Sequence, residues 1–591
     1  MTTREKLERV RAVMEKEGVA AYYITASDYH QSEYIGDFFK IRQYISGFTG
    51  SFGNLVITKD SAALWTDGRY DVQAVEELKD STIIPYVVGR EGTPDFKNWI
   101  CEKLEEGEIV GFDGRTISSK IGSEMKSFFE KKGIRIRENL DIVDRFWNMR
   151  PQMAKTPAFL LPLGYVGMTF EEKIAAVREM MRKEGADYNI LITLDDIAWL
   201  YNIRGRDIKN TPVTMAYSII SQEKVILYIE KSKITGKVEE YLNKNHVEIR
   251  EYSAIYEDVK SFQKEDRILI DGNKMNFAIY NKISHLNLID TQLPTTLLKA
   301  IKNEIEIENT KKAHIKDGVA LTKFIYWLKN NIGKIEINEL DAARKAEEMR
   351  AEQEDYIEPS FNTISAYMSN AAMPHYSATA EKYSTLKNRG LYLIDSGGQY
   401  LDGTTDVTRT IAVGELTDEL KRDNTLVLKG MISLSMVKFM AGTTGTNLDI
   451  LARKALWEQG LNFNHGTGHG VGHVLGVHEG PHGIRQAYNP FPLEPGMIIS
   501  NEPGLYIPGA HGIRIENELF VTEYMETVFG KFYQFQPLTF VPIDIDAIEV
   551  GLLSQEEREY LNNYHNEVFE KISPYLNDAE KNWLKEYTRE I

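Results

Sequence analysis

REKLERVRAVMEKEGVAAYYIT (residues 4–25) and EEKIAAVREMMRKEGADYNILIT (171–193) are two versions of one pattern, and the repetition decides how the first half of the chain folds. Apolar residues recur at helical spacing in both: Leu7, Val10, Val13 and Met14, then Ile174, Val177, Met180 and Met181. A glycine follows, Gly18 or Gly185, suited to the left-handed turn that closes a helix. An apolar, β-like run comes next, so the spacing predicts helix, stop and strand twice over.

Any helix–glycine–strand unit would look alike locally, but the parallel continues. ISGFTGSFGNLVITKDSAALWTDGRY (45–70) carries two short apolar strands around a turn at Lys59-Asp60, and TMAYSIISQEKVILYIE (214–230) does the same around Gln222-Glu223. Two related α/β domains are expected, at 1–150 and 151–301. The proline-bearing MRPQMAKTPAFLLPLG (149–164) reads as the link between them. A third domain is expected at 302–591. It opens with a long helical pattern, NEIEIENTKKAHIKDGVALTKFIYWLKNNI (303–332), with Val319, Ile325 and Leu328 on its apolar side, and a second helix covers 340–353. Strands and glycine-rich turns then alternate to about residue 549. A helical tail closes the region, with Leu561, Tyr564, Val568 and Ile572 at three- and four-residue intervals.

At 591 residues the chain is too long for a single core. A net charge of −17 argues against nucleic acid or an anionic membrane as partner, because no basic patch offsets it. Cys101 is the only cysteine, which rules out an intramolecular disulfide and a thiolate metal site. No run of about 18 apolar residues occurs, and residues 1–18 form a charged amphipathic pattern rather than a leader. The expectation is a cytoplasmic protein with no membrane partner.

The chemistry gathers in four stretches: LIDSGGQYLDGTTDVTRT (393–410), NHGTGHGVGHVLGVHEGP (464–481), SNEPGLY (500–506) and GIRIENEL (512–519). Asp395 ends an apolar run, where an unpaired carboxylate would be costly to bury. Asp406 lies eleven positions on, beyond a turn, and two strands joined by a hairpin would bring the pair together. Asp402 stands before a glycine and is the better turn residue. Glu502 closes another apolar strand. Alternation puts Arg514 and Glu516 on one face, Ile513 and Ile515 on the other.

Seven of the twelve histidines fall between His375 and His511. The 465–473 segment has too many glycines for a helix interior and lacks the Lys-Ser/Thr of a phosphate loop. His473 and His482 are expected to be exposed or to support ligands from behind. Asp395, Asp406, His469, Glu502 and Glu516 make an oxygen-rich set with one imidazole, which suits Mn²⁺, Co²⁺, Zn²⁺ or Fe²⁺ over a soft metal. Four carboxylates would balance two divalent cations.

In this order, these motifs resemble the pita-bread metallopeptidases, the family of methionine aminopeptidase, prolidase, creatinase and aminopeptidase P. Within it the resemblance is to the three-domain cytosolic X-Pro aminopeptidases. It extends over nearly the whole chain, through FTGSFGNLVIT, LDDIAWLYNIRG (194–205), AHIKDGVAL (313–321) and the YLNNYH tail. It implies two creatinase-like α/β domains before a pita-bread catalytic domain. It implies two divalent metals, Mn²⁺ first with Zn²⁺ or Co²⁺ as alternatives. Asp395 would bind one metal, His469 and Glu502 the other, and Asp406 and Glu516 would bridge.

The implied activity is release of the first residue from peptides with proline second, by a metal-bridging hydroxide, with Glu502 as proton shuttle. His375, His465 and His478 would contact substrate or the developing oxyanion. Arg514 and Arg409 would orient the carboxylates, Tyr506 is an aromatic candidate for the proline pocket, and a homodimer is implied. Gly476, where the family pattern has a larger residue, and Ala371–Pro374 depart from that pattern without removing a ligand.

Prolidase shares all five ligands and is the alternative. A non-catalytic binding module of the same fold is disfavoured by retention of the full ligand set. Methionine aminopeptidase is typically much shorter. Creatinase-like hydrolysis of a small molecule stays formally open.

Overall fold

The computed structural model describes residues 1–591. They form two compact units, Met1–Leu161 with Met168–Thr295, and Pro162–Gly167 with Thr296–Ile591.

The first unit holds the repeat. One six-stranded sheet runs Ile83–Val87, Ala62–Thr66, Asn54–Thr58, Ala21–Ile24, Ile109–Gly111, Arg135–Arg137. The other runs Glu248–Arg250, Val225–Ile229, Ala216–Ser221, Tyr188–Leu191, Arg267–Ile270, Asn287–Asp290. In both, the three middle strands that follow the leading helix are antiparallel neighbours, and the remaining pairings are parallel. The hairpin turns fall at Lys59-Asp60 and Gln222-Glu223, as the alternation predicts.

The leading helices explain why the pattern repeats. Thr3–Glu17 starts with a capping box between Thr2 and Glu5 and ends at Gly18, φ 65°. Phe170–Glu184 starts with the same device, Thr169 and Glu172, and ends at Gly185, φ 67°. Each N-cap contributes about 1 kcal/mol, and the left-handed closing turn is cheap only for glycine. Leu7, Val10 and Met14, and Ile174, Val177 and Met181, are buried; Val13 and Met180 are half-buried at the rim. The two sheets are joined within the unit by His30, whose Nδ1 lies 2.6 Å from Ile192 O and whose Nε2 lies 2.7 Å from Tyr252 Oη. Asn276 Nδ2 donates to Tyr29 O at 3.0 Å.

The second unit is built on the long helix Glu304–Asn331, capped by Asn303 and Glu306, with Val319, Ile325 and Leu328 buried. Helices Glu339–Ala351, Asp418–Met436, Gly445–Trp457, Gln555–Ile572 and Asp578–Tyr587 complete the set of long helices. The tail helix buries Leu561, Tyr564, Val568 and Ile572, the four residues its spacing selects. Between the helices lie a six-stranded sheet, two three-stranded sheets and a ribbon of Gly504–Ile507 with His511–Arg514. Residues 162–167, which overlap the end of the expected link, belong to this unit. Asn303 Nδ2 donates to Val166 O at 2.9 Å, and His473 Nε2 lies 2.9 Å from Tyr165 O. This α/β architecture, two like sheets followed by a mixed-sheet unit, is the one the sequence implies.

Candidate metal centre

Three strand systems deliver the acids. Leu391–Ser396 pairs antiparallel with Val407–Ala412 in a register that sets Asp395 opposite Thr408 and Ser396 opposite Val407. Asp406, one residue before the second strand, therefore lies beside Asp395. The connection is more than a plain hairpin: Gly398–Tyr400 and Gly403–Thr404 fold into a sheet with Tyr356–Pro359. Asp402 sits in that turn and pairs with Lys316, as a turn residue would.

Gly468–Gly470 forms a short strand beside Ile498–Asn501. Its glycines are what let a sheet form here. A Cβ at Gly468 would strike the Ser500 carbonyl oxygen, and one at Gly470 the Glu479 carbonyl oxygen. His469 is presented between them. Its Nδ1 lies 3.0 Å from Gly470 O, which leaves Nε2 toward Asp406 Oδ2 at 3.5 Å and Glu502 Oε1 at 3.6 Å. Such a backbone partner fixes the tautomer and turns the other nitrogen to the site. One nitrogen or oxygen each from Asp406, His469 and Glu516 lies within 4.8 Å of the others.

Glu516 falls between strands His511–Arg514 and Asn517–Thr527, so the predicted single strand is broken, yet the alternation persists through the bend. Ile513 and Ile515 are buried in the core, while Arg514 and Glu516 both face the acids. Thr408 Oγ1 donates to Glu516 Oε2 at 2.7 Å, and Arg514 Nη2 donates to Asp395 Oδ2 at 2.6 Å.

Electrostatically the cluster is under tension. Burial pushes the Asp406, Glu502 and Glu516 carboxyls well above the usual carboxylate range. The neighbouring acids push the same way, Asp395 and Glu502 on Asp406, Glu516 on Glu502, Asp406 on Glu516. Like charges so close cannot all ionise without a cation among them. Asp395 Oδ1 and Glu516 Oε1 are buried with no hydrogen-bond donor. Oxygens of that kind, with one oriented imidazole, fit divalent cations and leave no role for a soft metal.

The other expected residues surround this cluster. His478 packs edge-on against His469, ring centroids 4.4 Å apart. His465 Nε2 lies 2.8 Å from Tyr506 Oη. His375 follows the turn Met368–Ala372, and the carbonyl of its neighbour Pro374 accepts from Arg514 Nη2 at 3.3 Å. His473 and His482 are buried rather than exposed, and each bonds to a main-chain carbonyl.

Arg409 corrects an expectation. Its guanidinium binds the main-chain carbonyls of Glu516, Thr408 and Val541 and the Tyr564 hydroxyl, not a carboxylate. Adjacent strand residues point to opposite faces, so Thr408 takes the site side and Arg409 the core side. Three residues escaped the sequence reading. Thr408 and Ser500, whose Oγ accepts from His469 N at 3.0 Å, carry no signal as single hydroxyls. Glu518 continues the 514, 516 alternation and could have been found: it is buried, its Oε2 is 3.2 Å from His314 Nε2, and burial with Asp406 and Glu516 nearby raises its proton affinity.

Residues 308–523 match the model of metallopeptidase family M24, and 531–591 match the C-terminal region of peptidase M24. Residues 6–142 and 149–306 each match the creatinase/prolidase N-terminal domain. A probable Xaa-Pro aminopeptidase P of Ajellomyces capsulatus (strain G186AR) is 39% identical over 616 residues, covering 100% of this chain and 99% of its own. The chain belongs to metallopeptidase family M24.

Another relative of this M24 chain, a probable Xaa-Pro aminopeptidase P of Talaromyces marneffei, is 40% identical and covers 100% of this chain and 92% of its own. Among solved structures, the X-prolyl aminopeptidase of Caenorhabditis elegans, described as a cytosolic enzyme with a di-nuclear active site, aligns over 100% of both chains with a TM-score of 0.96 and 34% identity. A Xaa-Pro dipeptidase from Bacillus anthracis covers 64% of this chain, with a TM-score of 0.51 and 25% identity. No helix is long and apolar enough to cross a membrane.

Proposed function

We propose that this M24 chain is a metal-dependent aminopeptidase that releases the N-terminal residue from peptides with proline in second position. The observation that carries the reading is the convergence of four carboxylates and one oriented imidazole in a chain alike, over its full length, to an X-prolyl aminopeptidase. Prolidase is the second reading, and the shorter match to a dipeptidase disfavours it.

Asp395, Asp406, His469, Glu502 and Glu516 would hold two divalent cations. Mn²⁺ is our choice, with Zn²⁺ or Co²⁺ as alternatives. Held there, two such cations supply Lewis acidity and acidify a water nucleophile. The remaining work belongs to the chain. Glu502 would take a proton from the nucleophile and deliver it to the departing proline nitrogen. His375, His465 and His478 contact substrate or stabilise the charge that develops on its oxygen, where a fixed donor is favourable. Arg514 orients Asp395.

Proline has no N–H and a fixed φ, so binding modes that pair with a backbone amide fail at an X-Pro bond. A dedicated site is the consequence. We read the domains as 1–150, 151–301 and 302–591, the protein as cytoplasmic on the likeness to the cytosolic Caenorhabditis elegans enzyme, and the assembly as a homodimer on the family resemblance of the sequence alone.

The test uses the full chain supplied with Mn²⁺ and three substrates: an X-Pro-Pro peptide, the same peptide with alanine replacing the first proline, and the X-Pro dipeptide. Release of the first residue from X-Pro-Pro, abolished by a chelator and by Glu502→Ala, supports the reading. Cleavage of the dipeptide alone moves the assignment to prolidase. Turnover of the alanine peptide at the same rate would remove the proline specificity.

A further inference from the structure

Glu339, outside the centre described above, is the first residue of helix Glu339–Ala351 and has 0% exposure. Its carboxylate accepts five hydrogen bonds from four neutral donors and none from a lysine or arginine. Oε1 receives Tyr367 N at 2.7 Å and Asn370 Nδ2 at 3.0 Å. Oε2 receives Ser384 N at 2.7 Å, Tyr376 Oη at 2.9 Å and Asn370 Nδ2 at 3.1 Å. Its main chain adds two more ties: Ser365 Oγ donates to Glu339 O at 2.6 Å, and Glu339 N donates to Ser384 O at 3.1 Å.

Every one of those partners lies in the stretch 365–384, which contains His375. The stretch has little regular structure of its own, one short turn at Met368–Ala372 after strand Ile364–Tyr367. A buried carboxylate with no counter-ion persists only where hydrogen bonds satisfy it. Here those bonds are spent on joining distant points of one loop. His375 is bracketed as a result. On one side Pro374 O accepts from Arg514, which also holds Asp395. On the other side Tyr376 is held by Glu339. One end of the imidazole's backbone is tied to the acid cluster, the other to Glu339.

We propose that Glu339 is the positioning residue for His375, acting through Tyr376 and the 365–384 loop to hold that imidazole toward the substrate. This rests on the reading of His375 as a substrate-contacting group. Glutamine is nearly isosteric with glutamate but turns one acceptor into a donor, so Glu339→Gln sets an N–H against the Ser384 or Tyr367 amide and releases the loop. Tyr376→Phe removes only the bond beside His375.

The experiment is a double-mutant cycle in the full Mn²⁺-supplied chain, with Glu339→Gln and Tyr376→Phe each made alone and on a His375→Ala background. Hydrogen exchange is followed in peptides covering 364–384, and metal content is measured. Misplacing a positioned group by about 1 Å can cost on the order of 10²-fold. The expected result is a fall of that order in kcat with KM little changed, metal content unaltered, and faster exchange confined to 364–384. On the His375→Ala background the same substitutions should cost nothing further, because a residue that acts through His375 has nothing left to act on. Equal losses in both backgrounds would mean a general structural role and overturn the proposal, as would unchanged exchange in the loop or a His375→Ala variant as active as the parent. If Glu339→Gln does not fold, Tyr376→Phe carries the cycle. Failure of the aminopeptidase reading itself shows separately, as no turnover of X-Pro-Pro by the parent chain.

Discussion

Arg514 Nη1 donates to Tyr506 Oη at 2.7 Å while the other terminal nitrogen of the same guanidinium binds Asp395 Oδ2 at 2.6 Å. Because His465 Nε2 lies 2.8 Å from that phenol oxygen, a continuous hydrogen-bonded path joins His465 to Asp395. Tyr506 is thus a support for the acid cluster as much as an aromatic wall. Tyr506→Phe leaves Arg514 with a buried, unpaired donor and frees both neighbours. Loss of such a supporting partner costs about 10–100-fold in metal affinity or activity. Metal titration and kcat/KM on X-Pro-Pro, compared with the parent, should show a fall in that range; parity in both would exclude the supporting role.

Metal uptake should release protons. Burial and neighbouring acids raise the Asp406, Glu502 and Glu516 carboxyls above their ordinary values. Groups with folded pKa raised hold protons that cations must displace, so apparent affinity weakens as pH falls. The metal-free chain, relieved of repulsion by protonation, gains stability over the same descent. Calorimetric titration in two buffers of different ionisation heat counts the protons. Zero protons released near neutral pH would contradict the raised affinities.

Acid should act in the opposite sense through two buried imidazoles that are not part of the acid cluster. Burial lowers His30 and His565 from 6.5 to about 3. A histidine with depressed folded pKa binds fewer protons than in the unfolded chain. The native state therefore loses stability as pH drops below about 6.5, by about 1.4 kcal/mol per pH unit for each such group, until the folded pKa is reached. Urea midpoints of the metal-free chain between pH 7 and 5 should fall less in a His565→Gln variant than in the parent, once its lower baseline is subtracted. The same slope in both would rule His565 out.

The His465 loop depends on a buried ion pair in helix Gly445–Trp457. Arg453 Nε donates to Asp449 Oδ2 at 2.6 Å, and its other nitrogens reach the carbonyls of Phe463 and His465. Asp449 Oδ1 also accepts from Thr467 Oγ1 at 2.6 Å. Asp449→Ala leaves a buried guanidinium without its partner, which costs about 3–5 kcal/mol. Replacing both by apolar residues of similar volume should cost less in stability but still slow turnover, because the carbonyls lose their anchor. Denaturant unfolding and kcat measured on the same variants separate the two effects.

Much of this was legible locally. The capping boxes Thr2/Glu5 and Thr169/Glu172 and the closing glycines Gly18 and Gly185 act within a few residues of one another. Their message survives in a linear reading, and so does the tail-helix stripe of Leu561, Tyr564, Val568 and Ile572. The five acid and imidazole positions were visible because Asp395 and Glu502 end apolar runs, Glu516 sits in an alternating strand, and Asp406 and His469 stand in the glycine-bearing turns nearby. Arg409 was misread because its partners come from other strands. The fate of His473 and His482 turned on burial that no neighbour in sequence announces.

Sequence alone determined the duplicated α/β unit, the helical frame of the second unit and the identity of the candidate ligands, since periodicity, caps and glycine turns are short-range properties of the chain. Only the tertiary structure decided what supports those ligands. Thr408 and Glu516, 108 positions apart, meet at 2.7 Å, and Arg514 meets Asp395 across 119 positions. Contacts of that kind follow from strand register and from which face each residue takes once sheets are formed, and a one-residue slip would send the same side chains to the opposite face.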